Sequence, residues 1–249
     1  MAAAEGGPAR RVFLAAAWRQ LAMLNYRVDP ALLAPYVPAG TTLDLWRGDA
    51  FISVVGLLFD DTRVLGAPIP FHTTFPEVNL RCYVRRDMAG SGARRGVVFI
   101  RELVPRAAIA WVARLRYNEP YRALRMRRRI AMAAEPGGSV SVDYEWMAGG
   151  EWAGVHVTAR GRPMPIAPDT EEEFIAHHLW GYTRQRDGST IEYAVAHARW
   201  NVWQATSARL DGDLSRVYPP ELARAIARPP DSAFLADGSD VTVSFPQRI

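Results

Sequence analysis

Residues 75–85 read FPEVNLRCYVR. Side chains alternate between the two faces of a strand. Extended, this segment puts Glu77, Asn79, Arg81, Tyr83 and Arg85 on one face and Val78, Leu80, Cys82 and Val84 on the other. The apolar row belongs against a core. The polar row faces either bulk water or a pocket, and that choice decides the architecture. An open antiparallel sheet wets its polar face, whereas a closed, curved sheet turns one face into a lumen where mixed polar side chains can hold a ligand.

The flanking sequence is rich in further strands. TTLDLW (41–46) and AFISVVGLLF (50–59), split by the turn residues 47–49, read as a hairpin. LGAPIP (65–70) is loop. Beyond the glycine-rich turn at 90–96, VVFIREL (97–103) is a strand, and PRAAIAWVARLRY (105–117) is a helix with Pro105 at its start. YRALRMRRRIAMAA (121–134) fits helix or strand, and the alternation of Arg125, Arg127 and Arg129 favours strand. SVSVDYEW (139–146) and AGVHVTAR (153–160) flank the turn AGGE as a second hairpin, and TIEYAVAHARWNVWQA (190–205) reads as one long alternating strand. A last strand follows at DVTVSF (240–245). Helices are expected at Trp18–Tyr26, from Pro30 behind an Asp29 cap, after a cap formed by Asp169 with Glu172, and at 219–227. Residues 1–9 are small and turn-forming, an expected disordered N-terminus. Residues 10–249 then form a single domain, with no linker or repeat to divide them. Many strands with few helices and no regular alternation between them point to a β-rich α+β class.

Composition excludes several functions. All 30 basic side chains are arginine, so no lysine can form a Schiff base. Cys82 is the only cysteine, which rules out an internal disulfide and a cysteine-rich zinc site. His177 and His178 are adjacent and cannot chelate as an i, i+4 pair; with His156 and His197 on separate elements, no metal spacing arises. No phosphate-binding glycine loop, dinucleotide fingerprint or nucleophile elbow is present, so no cofactor is expected. No apolar run reaches the roughly 18 residues of a membrane span, and no signal peptide is evident, so a cytoplasmic protein is expected. The formal charge of +4 and the run RALRMRRR (122–129) raise a nucleic-acid reading. Alternation, however, sends Arg128 to the face opposite Arg127 and Arg129. No nucleic-acid partner and no membrane partner are expected; a homo-oligomer is compatible with the composition.

Seven stretches in order resemble one family: AAWRQLAMLNYRVDPALLAPYVPAGTTLD (16–44), FISVVGLLFDDTRVLGAPIPFH (51–72), FPEVNLRCYV (75–84), GVVFIRELVPRAAIAWVARLRYNEPY (96–121), EEEFIAHHLWGY (171–182), EYAVAHARW (192–200) and SAFLADGSDVTVSF (232–245). They are similar, nearly end to end, to the YqjF-like family of uncharacterised bacterial proteins, a domain of unknown function. That resemblance implies a distant relationship to acetoacetate decarboxylase, and with it a curved, closed, mostly antiparallel β barrel with peripheral helices and a central pocket. FPEVNL is similar to the decarboxylase strand that carries a catalytic glutamate, which places Glu77 in that position. The decarboxylase lysine follows a proline; here the matching stretch is YNEPYRAL (117–124), with Tyr121 where the lysine would stand. The resemblance therefore does not carry decarboxylase chemistry.

The expected site follows. Glu77, Tyr121 and His72 are the catalytic candidates: a buried carboxyl with a raised pKa, a phenol, and a proton shuttle at the pocket mouth. Asn79, Arg81, Tyr83, Tyr117 and Asn118 are the ligand-binding candidates, with Arg81 as a carboxylate anchor. Glu77 and Arg81 lie about 13 Å apart by strand rise, too far to pair directly. The partner is a small molecule, and the expected activity is Schiff-base-free proton transfer on a small oxo or carboxylic acid, of isomerase or lyase type. A non-catalytic ligand sensor on a decayed enzyme fold is the alternative, and an arginine-rich nucleic-acid module the third.

Overall fold

The computed structural model describes residues 11–90, 92–105, 117–135 and 137–249. The stretch expected to be disordered (1–9) and nearly all of the helix expected at 105–117 lie outside these residues. Strands β1 (Val12–Val28), β2 (Thr42–Leu43), β3 (Ala50–Val64), β4 (Ala67–Pro68) and β5 (Phe75–Met88) come first in the chain. Next are β6 (Gly92–Val104), β7 (Tyr121–Ala123), β8 (Met126–Ala131), β9 (Gly137–Ala148), β10 (Glu151–Gly161) and β11 (Met164–Pro165). The last are β12 (Trp180–Arg184), β13 (Thr190–His197), β14 (Asn201–Asp211), β15 (Ser232–Ser244) and β16 (Gln247–Arg248). Helices α1 (Pro30–Leu33), α2 (Glu171–Ala176) and α3 (Pro220–Ile226) are short.

These strands form one network whose main path runs β16-β13-β12-β6-β5-β3-β1-β15-β14-β10-β9-β8. Pairing is antiparallel except where β6 meets β7 and β12. β13 also pairs with β15, through Val195↔Val243 to His197↔Val241. Two apolar clusters lie on opposite faces of the β1–β3–β5–β6 region. Val78, Leu80, Cys82 and Val84 pack with Val142, Tyr144, Trp146 and Val155 of the β9–β10 layer and with Leu222 and Ile226 of α3. The second cluster takes Phe75 and Tyr83 together with Val55, Leu57, Phe174 and Tyr193. The two-face segregation of residues 75–84 is therefore the partition between the two cores. Arg85, at the end of the row, is exposed and pairs with Asp87.

Four sequence expectations are corrected. Trp18–Tyr26 is strand, not helix. Ala22, Leu24 and Tyr26 enter one core while Leu21 and Met23 enter the other, and burial on both faces erases the alternation that marks a strand. Residues 41–46 do not form a hairpin with β3: β2 pairs with Val84 and Arg85 of β5. The expected turn is nonetheless closed by the Trp46–Asp49 backbone pair, with Arg47 and Gly48 both at positive φ. The strand 190–205 is broken at Ala198–Trp200 into β13 and β14, which serve different neighbours. Finally, α2 is capped by Thr170, whose hydroxyl accepts from the Glu173 N–H, while the Glu173 carboxylate takes the Asp169 N–H; the capping box sits one residue later than expected.

No helix among the described residues is long and apolar enough to cross a membrane. Cys82 is buried, and burial pushes its thiol up to about 12, as suits a packing residue.

Candidate functional site

Under the polar row of β5 lies a cavity of about 180 Å³. Register builds its floor. On β5, Glu77, Asn79 and Arg81 sit opposite Leu57, Val55 and Ser53 of β3. Asn79 faces Glu102 on β6, which in turn faces Tyr121 on β7, so three adjacent strands contribute one polar row. Glu77 and Arg81 are 3 % and 7 % exposed, and Glu102 is 1 % exposed.

Glu77 is held by two donors: the Asn79 Nδ2 donates to Oε1 at 3.1 Å and the Tyr121 hydroxyl donates to Oε2 at 3.2 Å. Burial pushes its pKa up to about 7, against the pull of those donors and of the Arg81 charge. Glu119 accepts from the Tyr193 hydroxyl, and burial likewise raises it to about 7. Glu102 is held well above the usual carboxylate range by burial, then by the charges of Glu119 and Glu77. Its Oε2 has no hydrogen-bond partner among the described residues, which favours the protonated acid. The Tyr121 and Tyr193 phenols are also pushed well up, by burial first, so they remain neutral donors. Three buried carboxyls and two phenols thus share few protons, and two of those carboxyls titrate near neutrality.

Arg81 is set differently. Its Nε donates to the Tyr83 hydroxyl and its Nη2 to the Ile175 carbonyl, both at 3.3 Å, and no carboxylate among the described residues pairs with it. The Tyr83 hydroxyl donates to Ser53 Oγ, and Ser53 donates to Asn25 Oδ1, each at 2.7 Å. The Asn25 amide donates to Ser232, which donates to Glu171. This buried chain fixes the guanidinium's orientation without neutralising it. Tyr83→Phe removes the link that joins Arg81 to Ser53. We expect a loss of about 1–3 kcal/mol in a urea melt, with weakened anion binding by the folded variant.

Six sequence-predicted residues line the cavity: His72, Glu77, Asn79, Arg81, Tyr117 and Tyr121. His72 holds the Pro70 carbonyl through Nδ1 at 2.8 Å and adjoins Phe71, which is 89 % exposed, so it marks the outer end. The other two candidates stand outside the lining. Tyr83 is not in the wall but stands behind Arg81 as its support. Asn118 is not in the wall either; at φ 57° its amide donates to the Arg184 carbonyl, a turn role. Glu102 and Tyr193 were not singled out from sequence; Glu119 falls in the segment RYNEPY (116–121) that the sequence marks for function, though it is not among the expected site residues.

Tyr193 is seated by Gly181, its cross-strand partner, whose missing side chain leaves room for the ring. A methyl at Gly181 would overlap that ring. Gly181→Ala should cost about 1–3 kcal/mol and displace the phenol from Glu119, readable as a changed Tyr193 signal in a ring-labelled NMR spectrum. No group of three or more His, Cys, Asp or Glu among the described residues is arranged to hold a metal ion.

Solved structures with this fold include acetoacetate decarboxylase from Legionella pneumophila subsp. pneumophila str. Philadelphia 1. It has a TM-score of 0.65 at 13% identity, covering 100% of this chain and 92% of that one. The enduracididine biosynthesis enzyme MppR complexed with pyruvate has a TM-score of 0.66 at 15% identity, over 98% and 93%. An acetoacetate decarboxylase-like enzyme from Sphingomonas wittichii RW1 has a TM-score of 0.65 at 14% identity, over 95% and 92%. At these identities the likeness is one of fold. Among curated proteins, the uncharacterized protein YqjF of Bacillus subtilis (strain 168) is 35% identical over 68 residues, a match that spans 27% of this chain and only 28% of YqjF. The DUF2071 family, described as an uncharacterized conserved protein, matches residues 15–240, and the chain belongs to that family.

Proposed function

We propose that this protein binds a small oxo or carboxylic acid in the cavity beneath β5 and moves protons on it by acid–base chemistry, as an isomerase or lyase without a Schiff base. The observation that carries this reading is the pairing, in one cavity, of Arg81 and Glu77. Arg81 is a buried cation with no carboxylate partner among the described residues, and Glu77 has a pKa near 7. A guanidinium held by its Nε and Nη2 suits a ligand carboxylate, and a base poised near neutrality suits proton abstraction.

The sheet supports an enclosed site. β13 pairs with β12 on one side and β15 on the other, so β13, β12, β6, β5, β3, β1 and β15 follow one another round a ring; we read this as a curved, closed barrel. The pyruvate complex of MppR, which shares the fold, lends support to an oxo acid as ligand. In the proposed step, the Glu77 carboxylate takes a proton from the carbon beside the carbonyl. The C–H electrons pass to the carbonyl oxygen as an enolate, stabilised by hydrogen bonds from Tyr121 or protonated Glu102. Where a carbon–carbon double bond is conjugated with the enolate, protonated Glu77 returning the proton to its far carbon gives an isomer. Where a β substituent is present, it leaves with its bonding electron pair, protonated by the Glu102 acid, and the new double bond makes a lyase product.

The absence of lysine supports the alternative of a ligand-binding protein without turnover, since the same anchor serves both. The arginine-rich strand favours neither: Arg127 is tied to Glu145 by two hydrogen bonds of 2.7 Å and packs over Trp152 at 4.0 Å. Equilibrium dialysis of a metabolite mixture, read by mass spectrometry, tests the proposal. Small monoacids should be enriched by the native protein and lost from Arg81→Met. Enrichment that is indifferent to Arg81, or none, would overturn it.

A further inference from the structure

We infer that the acid taken by this cavity is a monocarboxylate with a short apolar branched tail, the carboxylate lying toward Arg81 and the tail toward the outer end. This rests on the small-acid reading above and names the class of acid.

The cavity has a polarity gradient that follows the strand rows. Successive inward positions on β5 are about 6–7 Å apart. Arg81, Asn79 and Glu77 occupy three of them; Glu102 and Tyr121 join them from β6 and β7, and Glu119 from the segment just before β7. One row further out, Phe75 lies opposite Phe59. Their rings stack at 4.9 Å, and Trp18 meets Phe59 edge-on at 5.9 Å. Beyond these, Val64 and Ile69 continue the wall.

Charge narrows the class. Arg81 is the one arginine among the described lining residues; at the outer end the polar groups are His72, the Thr62 hydroxyl and the Trp18 Nε1. A dicarboxylate would set its second charge against Phe59, Phe75 and Trp18, where the Trp18 Nε1 and Thr62 hydroxyl, unpartnered among the described residues, offer neutral donors but no arginine offsets its lost hydration. Size narrows it further. A cavity of about 180 Å³ is somewhat larger than the ~150 Å³ of one that admits benzene. Beyond the six heavy atoms of an oxo-acid head, that leaves space for a short tail of roughly one to three carbons. Pyruvate alone would leave the aromatic end unfilled.

Calorimetric titration of the native protein with pyruvate, 4-methyl-2-oxopentanoate and 2-oxoglutarate tests the inference. Each buried CH₂ strengthens binding by about fourfold. The branched acid should therefore bind at least about tenfold more tightly than pyruvate, and 2-oxoglutarate at least about tenfold more weakly than the branched acid. Val64 is half-exposed, so Val64→Arg should fold and add a cation at the outer end, shifting the preference toward 2-oxoglutarate. Equal affinity for pyruvate and the branched acid would overturn the tail assignment while leaving the small-acid reading intact. An unchanged preference in Val64→Arg would overturn the direction in which the tail lies. Binding of none of the three acids would overturn both readings.

Discussion

Glu77→Gln is expected to lower proton exchange on a bound oxo acid by about 10²–10⁴-fold, while affinity for that acid changes by less than about threefold. The loss corresponds to about 3–5 kcal/mol of transition-state stabilisation. The amide has the shape of the carboxyl it replaces. Its oxygen still accepts from Asn79 Nδ2, and its NH₂ can donate to the Tyr121 hydroxyl, now acting as acceptor, so the floor keeps its geometry. What disappears is a base near pH 7. Exchange of the hydrogens beside the oxo group of 4-methyl-2-oxopentanoate into deuterated solvent, followed by NMR, reads this step without knowledge of the final product. In the native protein the rate should climb as pH rises through about 7 and then level, because only the ionised carboxylate accepts a proton. Equal exchange in the variant would remove Glu77 from the base role. Binding with no exchange in either protein would leave the ligand-binding alternative standing.

How far the site could be read from sequence depended on strand regularity. β5 pairs with β3 in unbroken register from Phe75 to Cys82, so counting by twos from Glu77 correctly assigns Asn79 and Arg81 to its own face. β6 behaves otherwise. Its register with β5 skips Ile100: Arg81 faces Phe99 and Leu80 faces Arg101. Such a bulge inverts the alternation beyond it. Counting from Phe99 would send Arg101 inward and Glu102 outward. In the folded chain Glu102 lines the cavity, while Arg101 reaches the Val217 carbonyl on the opposite side. A bulge leaves no mark in VVFIREL. Tyr193 was hidden for a different reason: its neighbour Glu192 is also buried, between Arg86 and Arg94, so burial alone could not say which face of β13 meets the cavity. Glu119 lies in a segment that sequence marks for function, but the turn-forming Asn118 and Pro120 beside it left its own role undecided. The helix expected at Trp18–Tyr26 failed on the same principle, since a strand sandwiched between two cores has no polar side to reveal its period.

The carboxyl cluster should also leave its mark on stability, as a difference between native protein and the Glu77→Gln/Glu119→Gln double variant that grows by several kcal/mol between pH 4.5 and pH 8. The sign follows from proton counts. Both carboxyls have ordinary pKa values of 4.5 that burial raises to about 7 in the fold. Between those limits the folded chain holds protons that the unfolded chain has released, so stability is greatest below 4.5 and falls as pH rises through 7. Each such shift is worth about 3 kcal/mol. Two buried imidazoles oppose this trend. His178 and His197 are lowered from 6.5 to about 4, by burial first, so each adds stability as pH rises from 4 to 6.5. The native curve should therefore be nearly level up to about pH 6.5 and then decline. The double variant, which keeps both histidines, should rise to about 6.5 and then flatten. Glu102 remains in both proteins, and losing its two charged neighbours lowers its pKa, which widens the difference in the same direction. Urea midpoints at half-unit pH steps would measure it. Curves that stay parallel within about 1 kcal/mol would mean that Glu77 and Glu119 are ionised in the fold like ordinary carboxylates. The poised base on which the proposed chemistry depends would then be absent.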